Sequence, residues 1–267
     1  MPFVHAAGVD VHYVEHGHGD HTAVLLHGFS PDHRLMTGCF EPVFAKRDGW
    51  RRVYLDLPGM GLTKAPADLV GTDAVFAVVR ATIDALVPGR YAVAGESYGG
   101  YLARGLVAAE PDRVTGMALV CPVIGMERDV DERVVLVSEV EDFSEIAVVL
   151  TEETRRRQAE EIDPGMALAD PAALDRIRSD YAGTMALEPR PYACPSVLIT
   201  GRQDNVTGYR DPYRILESYP RATFAVLDRA GHNAHFEQPA LFDALVHEWL
   251  DRVEEALLHQ GREAVGA

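Results

Sequence analysis

The chain has 267 residues, 47% of them apolar and 25% charged, with a formal charge of -16. These are the proportions of a water-soluble globular protein, and no run approaches the roughly 18 apolar residues of a membrane span. So acidic a surface repels phosphate polymers, which argues against a nucleic-acid partner.

Cys39, Cys121 and Cys194 are odd in number and lack metal-ligand spacing, so they read as reduced packing residues. The stretch after Met1 has neither the basic region nor the apolar core of a leader peptide, and a cytoplasmic location is expected. The length suits one α/β domain carrying an insertion.

Phe3 to Gly17 alternates apolar and polar residues around a turn at Gly8, predicting a hairpin at a sheet edge. His16, His18 and His21 follow in a glycine-rich loop, but no helical or strand spacing converges them, so no metal site is expected there. Ala23–Leu26 is a short apolar run of the kind buried in a parallel sheet, and it ends in His27-Gly28-Phe29. The next strand, Arg52–Leu55, runs into Asp56-Leu57-Pro58-Gly59-Met60-Gly61, whose proline and glycines enforce turns. Residues 72–86 have helical spacing, with Pro88-Gly89 as the stop. Strand and helix now alternate, which implies right-handed crossovers and a mostly parallel sheet.

Tyr91–Ala94 reads as the next buried strand and leads into Gly95-Glu96-Ser97-Tyr98-Gly99-Gly100, followed by helical spacing of Leu102, Leu106 and Ala109. A serine between two glycines at a strand-to-helix turn sits on a bend that only small neighbours permit, with its hydroxyl held above the sheet edge. A nucleophile belongs there. Val114–Val123 supplies a sixth strand, and then the alternation breaks.

From Met126 to Asp163 there are thirteen acidic residues against five arginines, a poor electrostatic guide for a polyanionic substrate. Helical stretches are predicted at 145–150 and after Asp170-Pro171, where Asp caps and Pro fits the first turn. Arg155, Arg156 and Arg157 read as a solvated helix face. Strands return at Ser196–Thr200 and Thr223–Leu227, ending in Gly201-Arg202-Gln203-Asp204 and Gly231-His232. A final helix is expected over 239–258 with Leu241, Leu245, Trp249 and Val253 on its buried face, and a frayed tail beyond Gly261.

Ligands of open α/β sheets bind beyond the carboxyl ends of the strands, where His27, Ser97, Asp204 and His232 all fall. Serine needs a base to take its proton, and histidine needs a carboxylate to fix its tautomer; Asp204 and His232 meet those needs in the order serine, acid, histidine. The strand before the insertion ends in Cys121-Pro122-Val123 and offers no alternative acid, while Asp228 reads as a turn residue and His235 as packing beneath the loop.

In these segments the chain resembles the α/β-hydrolase fold superfamily, serine-nucleophile branch with a helical lid. The matched segments are His27-Gly28, Asp56-Leu-Pro-Gly-Met-Gly, Gly-Glu-Ser-Tyr-Gly, Gly-Arg-Gln-Asp and Gly-His, spread over nearly the whole length. The resemblance implies a mostly parallel sheet flanked by helices, with a core of residues 1–124 and 193–267 and a helical cap, 125–192, inserted after the sixth strand. It implies Ser97 as nucleophile, His232 as general base and then acid, Asp204 as its orienter, and the backbone N–H groups of Phe29 and Tyr98 as an oxyanion hole.

Similar dehalogenases and epoxide hydrolases carry aspartate where this chain has Ser97, which excludes their mechanism. Asn205-Val206-Thr207-Gly208 departs from the family's frequent proline after the acid, and this bears on loop conformation.

The expected substrate is a small or medium carboxylic ester or lactone, in a pocket walled by His27, Phe29, Tyr98 and Val148. Carbon–carbon bond hydrolysis of ring-fission products, ligand binding with little turnover, and lyase or perhydrolase chemistry are the alternatives. No metal, cofactor, nucleic acid or membrane partner is expected, and assembly into a homo-oligomer is left open.

Overall fold

Along one central strand Val24 and Leu26 face one side of the sheet while Ala23 and Leu25 face the other, and that period of two divides the core into two apolar layers. The computed structural model describes residues 2–266, with side chains as far as His259.

In chain order the first half comprises β1 (Phe3–Ala6), β2 (Val9–His16), β3 (His21–Leu26), α1 (His33–Phe44), β4 (Trp50–Leu55), α2 (Gly71–Leu86), β5 (Tyr91–Glu96), α3 (Tyr98–Ala109) and β6 (Val114–Val120). An inserted segment follows, with the short pair β7 (Val137–Ser138) and β8 (Val149–Leu150) and helices α4 (Glu152–Glu161), α5 (Asp163–Leu168) and α6 (Pro171–Arg178). The chain then returns to the sheet through β9 (Ser196–Gly201), α7 (Arg210–Arg214), β10 (Ala222–Leu227), α8 (Ala234–Glu237) and α9 (Pro239–Gly266).

The eight-stranded sheet has the order β1-β2-β4-β3-β5-β6-β9-β10, antiparallel at the β1–β2 and β2–β4 pairs and parallel thereafter. One layer packs Val75 and Val79 of α2 and Leu102 and Leu106 of α3 against the sheet. The opposite layer packs Phe40 of α1 and Trp249 and Val253 of α9. The order places β3 between β4 and β5, so successive crossovers leave β3 in opposite directions. A crevice opens beside its carboxyl end, the position where such sheets bind ligands.

Three local expectations are corrected. Residues 145–150 are not helical: Val149–Leu150 is extended and pairs with Val137–Ser138. A short apolar run rich in β-branched residues is ambiguous by spacing, and here the carboxylate of Glu237 captures the Val148 and Val149 N–H groups at 2.6 and 3.1 Å. The buried face of α9 carries Phe242, Val246, Trp249, Leu250 and Val253, whereas Leu241 is exposed. Phe242 meets Phe40 edge-to-face at 5.7 Å, which sets that rotation. The α9 backbone continues as helix to Gly266, past the expected fraying point. Among the described residues no helix is long and apolar enough to cross a membrane.

Beneath the crevice, the fully buried Asp56 carboxylate joins β2, α1 and the loop after β4. It accepts from His12 Nδ1 at 2.8 Å, from the His33 N–H and Nδ1 at 2.9 and 2.8 Å, and from the Leu62 N–H at 2.9 Å. Burial by itself would raise this carboxyl's pKa, but the His33 hydrogen bond, the electrostatic pull of the neighbouring imidazoles and the Leu62 N–H together hold it well below the usual carboxylate range. Asp56→Ala is expected to cost about 3–5 kcal/mol, measured by urea denaturation, because it strands several buried donors. With a depressed folded pKa, the contribution is complete above about pH 4 and fades as pH falls through the folded value. A wild-type-like denaturation midpoint in the variant would remove Asp56 from this role.

Candidate active site

The candidate nucleophile owes its position to two contacts that no side chain could make. A Cβ on Gly95 would stand 2.2 Å from the Gly99 carbonyl oxygen, and one on Gly99 would stand 2.1 Å from the Leu26 carbonyl oxygen. Both glycines let β5 turn directly into α3 against β3. Ser97, between them, adopts φ 51° and ψ -113°, a region that L-residues rarely occupy. Its N–H donates to Val120 at 2.9 Å and its carbonyl accepts from Val123 at 3.0 Å, which locks the bend to the end of β6.

Asp204 follows β9 and His232 follows β10, and the structure brings them together, with Asp204 Oδ2 3.0 Å from His232 Nδ1. The departure at 205–208 is resolved by side-chain capping. Asp204 Oδ1 accepts from the Val206 and Thr207 N–H groups at 2.8 and 3.0 Å, and Thr207 Oγ1 donates to Asp204 Oδ2 at 2.7 Å. Thr207 thus fixes the carboxylate that fixes the imidazole. Burial works against the Asp204 charge, but His232 and the Thr207 hydrogen bonds outweigh it and lower its pKa. For His232 burial again opposes the charged form, yet Asp204 and then Glu96 raise its pKa to about 9.

Ser97 and His232 line one cavity of about 600 Å³, within the range of small-molecule sites. Its apolar wall comes from Phe29 and Leu35 of the core and from Phe143, Ile146, Ile162 and Met166 of the insert. Arg128 and Arg178 also reach it, Arg178 with its guanidinium 4.9 Å from the centre of the Phe29 ring.

Of the four expected wall residues, Phe29 lines the cavity and the other three do not. His27 is fully buried; its Nδ1 lies 2.7 Å from the Gly28 carbonyl and its Nε2 accepts from the Leu57 N–H at 3.0 Å, so burial keeps it neutral and structural. The Tyr98 side chain turns under the floor, donates to Thr72 Oγ1 at 3.0 Å and stacks on Tyr181 at 4.9 Å. Val148 is buried behind the His232 loop, and Ile146 takes the wall position. The Tyr98 N–H opens α3, where N–H groups have no partner within the helix.

Other sequence candidates fall where packing sends them. Asp228 is exposed and accepts from Gln203, while His235 is buried beside Glu161. Arg155 and Arg156 are exposed and paired with glutamates on their own helix, as a solvated face requires. Arg157 instead turns inward, bonding Glu161 and the Gly38 and His235 carbonyls.

Two positioning carboxylates escaped the sequence reading. Glu237 holds the Gly231 N–H at 2.5 Å as well as those of Val148 and Val149, tying the His232 loop to the insert. Glu96 ends a strand that is otherwise apolar or glycine, a pattern that marks a buried acid; its Oε1 lies 3.2 Å from His232 Nε2.

Two groups bring three potential metal ligands together, His12–His33–Asp56 and Cys121–Asp204–His232. In both, the carboxylate is already hydrogen-bonded to histidine nitrogen at 2.8 to 3.0 Å, and burial raises the Cys121 pKa and keeps it a neutral thiol.

A mixed sheet with helices on both faces, an insert after β6, and a serine, an aspartate and a histidine at the carboxyl ends of β5, β9 and β10 together define an α/β-hydrolase architecture. The chain belongs to the alpha/beta hydrolase family, whose sequence pattern matches residues 23–245. It is 25% identical over 274 positions to the 2-hydroxy-6-oxononadienedioate/2-hydroxy-6-oxononatrienedioate hydrolase of Paraburkholderia phymatum, covering 90% of each chain. It is 22% identical to the pimeloyl-[acyl-carrier protein] methyl ester esterase of Legionella pneumophila, covering 91% of this chain and all of that one. Among solved structures, an alpha/beta superfamily hydrolase from Oenococcus oeni superposes with TM-score 0.85 at 25% identity, over 95% of this chain and 100% of that chain.

Replacing Asp204 by Asn should shift the His232 titration to lower pH by more than one unit, because it removes the charge bonded to Nδ1. NMR of the imidazole resonances follows this, and an unmoved titration would show that Asp204 is not the charge partner of His232.

Proposed function

We propose that this protein is a serine hydrolase that cleaves a small or medium carboxylic ester or lactone through an acyl-enzyme on Ser97. The observation that carries the reading is the placement of Ser97 on a strained turn in the same cavity as the Asp204-supported His232. In this reading Ser97 Oγ adds to the substrate carbonyl as His232 Nε2 takes its proton. The tetrahedral oxyanion is held by the Phe29 and Tyr98 N–H groups, each such donor lowering the barrier by about 3–4 kcal/mol. The imidazolium then protonates the leaving alcohol, and water repeats the cycle on the acyl-enzyme. Residues 125–192 serve as the lid, supplying most of the apolar wall, which favours an uncharged acyl or alcohol part.

The same triad serves the second reading, hydrolysis of a carbon–carbon bond in an acidic ring-fission product. Arg128 and Arg178 favour it, since both reach the cavity and would meet a carboxylate. The Paraburkholderia relative carries such an activity in its name, and the Legionella relative carries an ester activity. Ester hydrolysis is preferred because the wall around the arginines is largely apolar and Glu145 and Asp163 stand in the same lining.

A fluorophosphonate probe is expected to label Ser97, located by peptide mapping, and p-nitrophenyl esters should be turned over with a dependence on acyl length. Ser97→Ala should lower turnover at least about 10⁴-fold without unfolding the protein. Full ester hydrolysis by that variant would remove the proposal, and turnover of dienoate ring-fission products in preference to esters would establish the second reading.

A further inference from the structure

The imidazole of His232 has a carboxylate beside each nitrogen. Asp204 holds Nδ1 at 3.0 Å, and Glu96 Oε1 stands 3.2 Å from Nε2, the nitrogen that must serve Ser97. The second carboxylate is not a surface group swinging by: Glu96 is 3% exposed. Its other oxygen packs on the main chain of residue 28, where an added Cβ would stand 2.1 Å from Oε2. Among the described residues no hydrogen bond joins Ser97 Oγ to His232.

We propose that Glu96 is a positioning residue that competes with Ser97 for Nε2 of His232 and holds the proton on that nitrogen in the resting site. This rests on the reading of Ser97 and His232 as nucleophile and base. While Glu96 is ionised, its charge beside Nε2 favours the imidazolium, whose Nε2–H has no lone pair for the serine proton. When that proton passes to Glu96, the pair becomes a neutral imidazole and a neutral carboxyl, with no change in total charge. Nε2 is then free to accept the Ser97 proton.

The groups facing the pair support this arrangement. Burial first, opposed by His232 and reinforced by Asp204, raises the Glu96 carboxyl's pKa to about 7, so the acid form is accessible near neutrality. The remaining neighbours supply little competing charge: burial raises the pKa of the Cys39 and Cys121 thiols and the Tyr181 phenol and keeps them neutral, and lowers that of His235. Arg128 acts on His232 from the insert and disfavours the imidazolium. The two carboxylates therefore dominate the protonation of His232.

The test is an NMR titration of His232 in the wild-type protein and in Glu96→Gln, which keeps the shape and removes the charge. The titration is expected to fall by at least one pH unit, and fluorophosphonate labelling of Ser97 at a pH below both titrations to rise by about tenfold for each unit. Glu96→Asp, with the charge drawn back by one methylene, should titrate between the two and guards against a folding defect in the first variant. Identical His232 titrations in all three proteins would overturn the inference. A wild-type protein that no probe labels, but whose His232 titration still responds to Glu96→Gln, would remove the nucleophile role of Ser97 and leave the Glu96–His232 pair standing.

Discussion

The close approach of Gly99 to the Leu26 carbonyl is the constraint on which the rest of the site depends. It sets β5 and the start of α3 so tightly against β3 that the loops after the two strands share one crevice, placing Ser97 beside the Gly28-Phe29 main chain. Ser97 pays for that approach in backbone strain, held by its hydrogen bonds to Val120 and Val123. Strain of this sort persists only where neighbours over-determine it, and here both flanking strands do so. The Tyr98 side chain is sent downward, where its hydroxyl donates to Thr72 Oγ1.

The other half of the site hangs from β9 and β10, near the far edge of the sheet, where a Cβ on Gly201 would stand 2.1 Å from the Gly231 carbonyl oxygen. Its precision comes from side-chain carboxylates that gather main-chain donors. Asp204 gathers those of Val206 and Thr207; Glu237 gathers those of Gly231, Val148 and Val149. The second set couples two functions mechanically, because a displacement of the insert at Val148 is felt at Gly231, one residue from His232. Arg157 makes a parallel tie from α4 to α1 and to the His235 carbonyl. These bonds tie the insert to the His232 loop on the β10 side.

What the sequence made legible follows from which signals are local. Apolar runs ending in glycine turns located β3, β5, β6, β9 and β10, because burial on both faces and a chain reversal are each written within a few residues. Ser97, Asp204 and His232 could be picked out since each follows such a run. Destinations that depend on where a loop leans were not legible. His27 is turned to the Leu57 N–H, and Val148 behind the His232 loop, by partners 30 and 89 residues away in sequence. The extended form of Val149–Leu150 likewise depends on Glu237, and the rotation of α9 on a ring in α1. Glu96 carried a legible sign, a charged residue closing an otherwise apolar strand, but its partner was fixed only once three loops met.

Two carboxylates around one buried imidazole make a single titrating unit, because in a site of low polarity both acids can be ionised only while His232 is protonated. That has a consequence for acyl transfer. In the proposed reaction the oxyanion would form against the Phe29 N–H, next to the Gly28 main chain on which Glu96 Oε2 lies. An ionised Glu96 would oppose the developing negative charge, whereas a protonated one would not. The state in which Nε2 is free to take the serine proton, with the proton resting on Glu96, is therefore also the state that best tolerates an oxyanion. One proton position satisfies both demands, which gives a physical reason for an acid to stand immediately before Ser97 in this crevice.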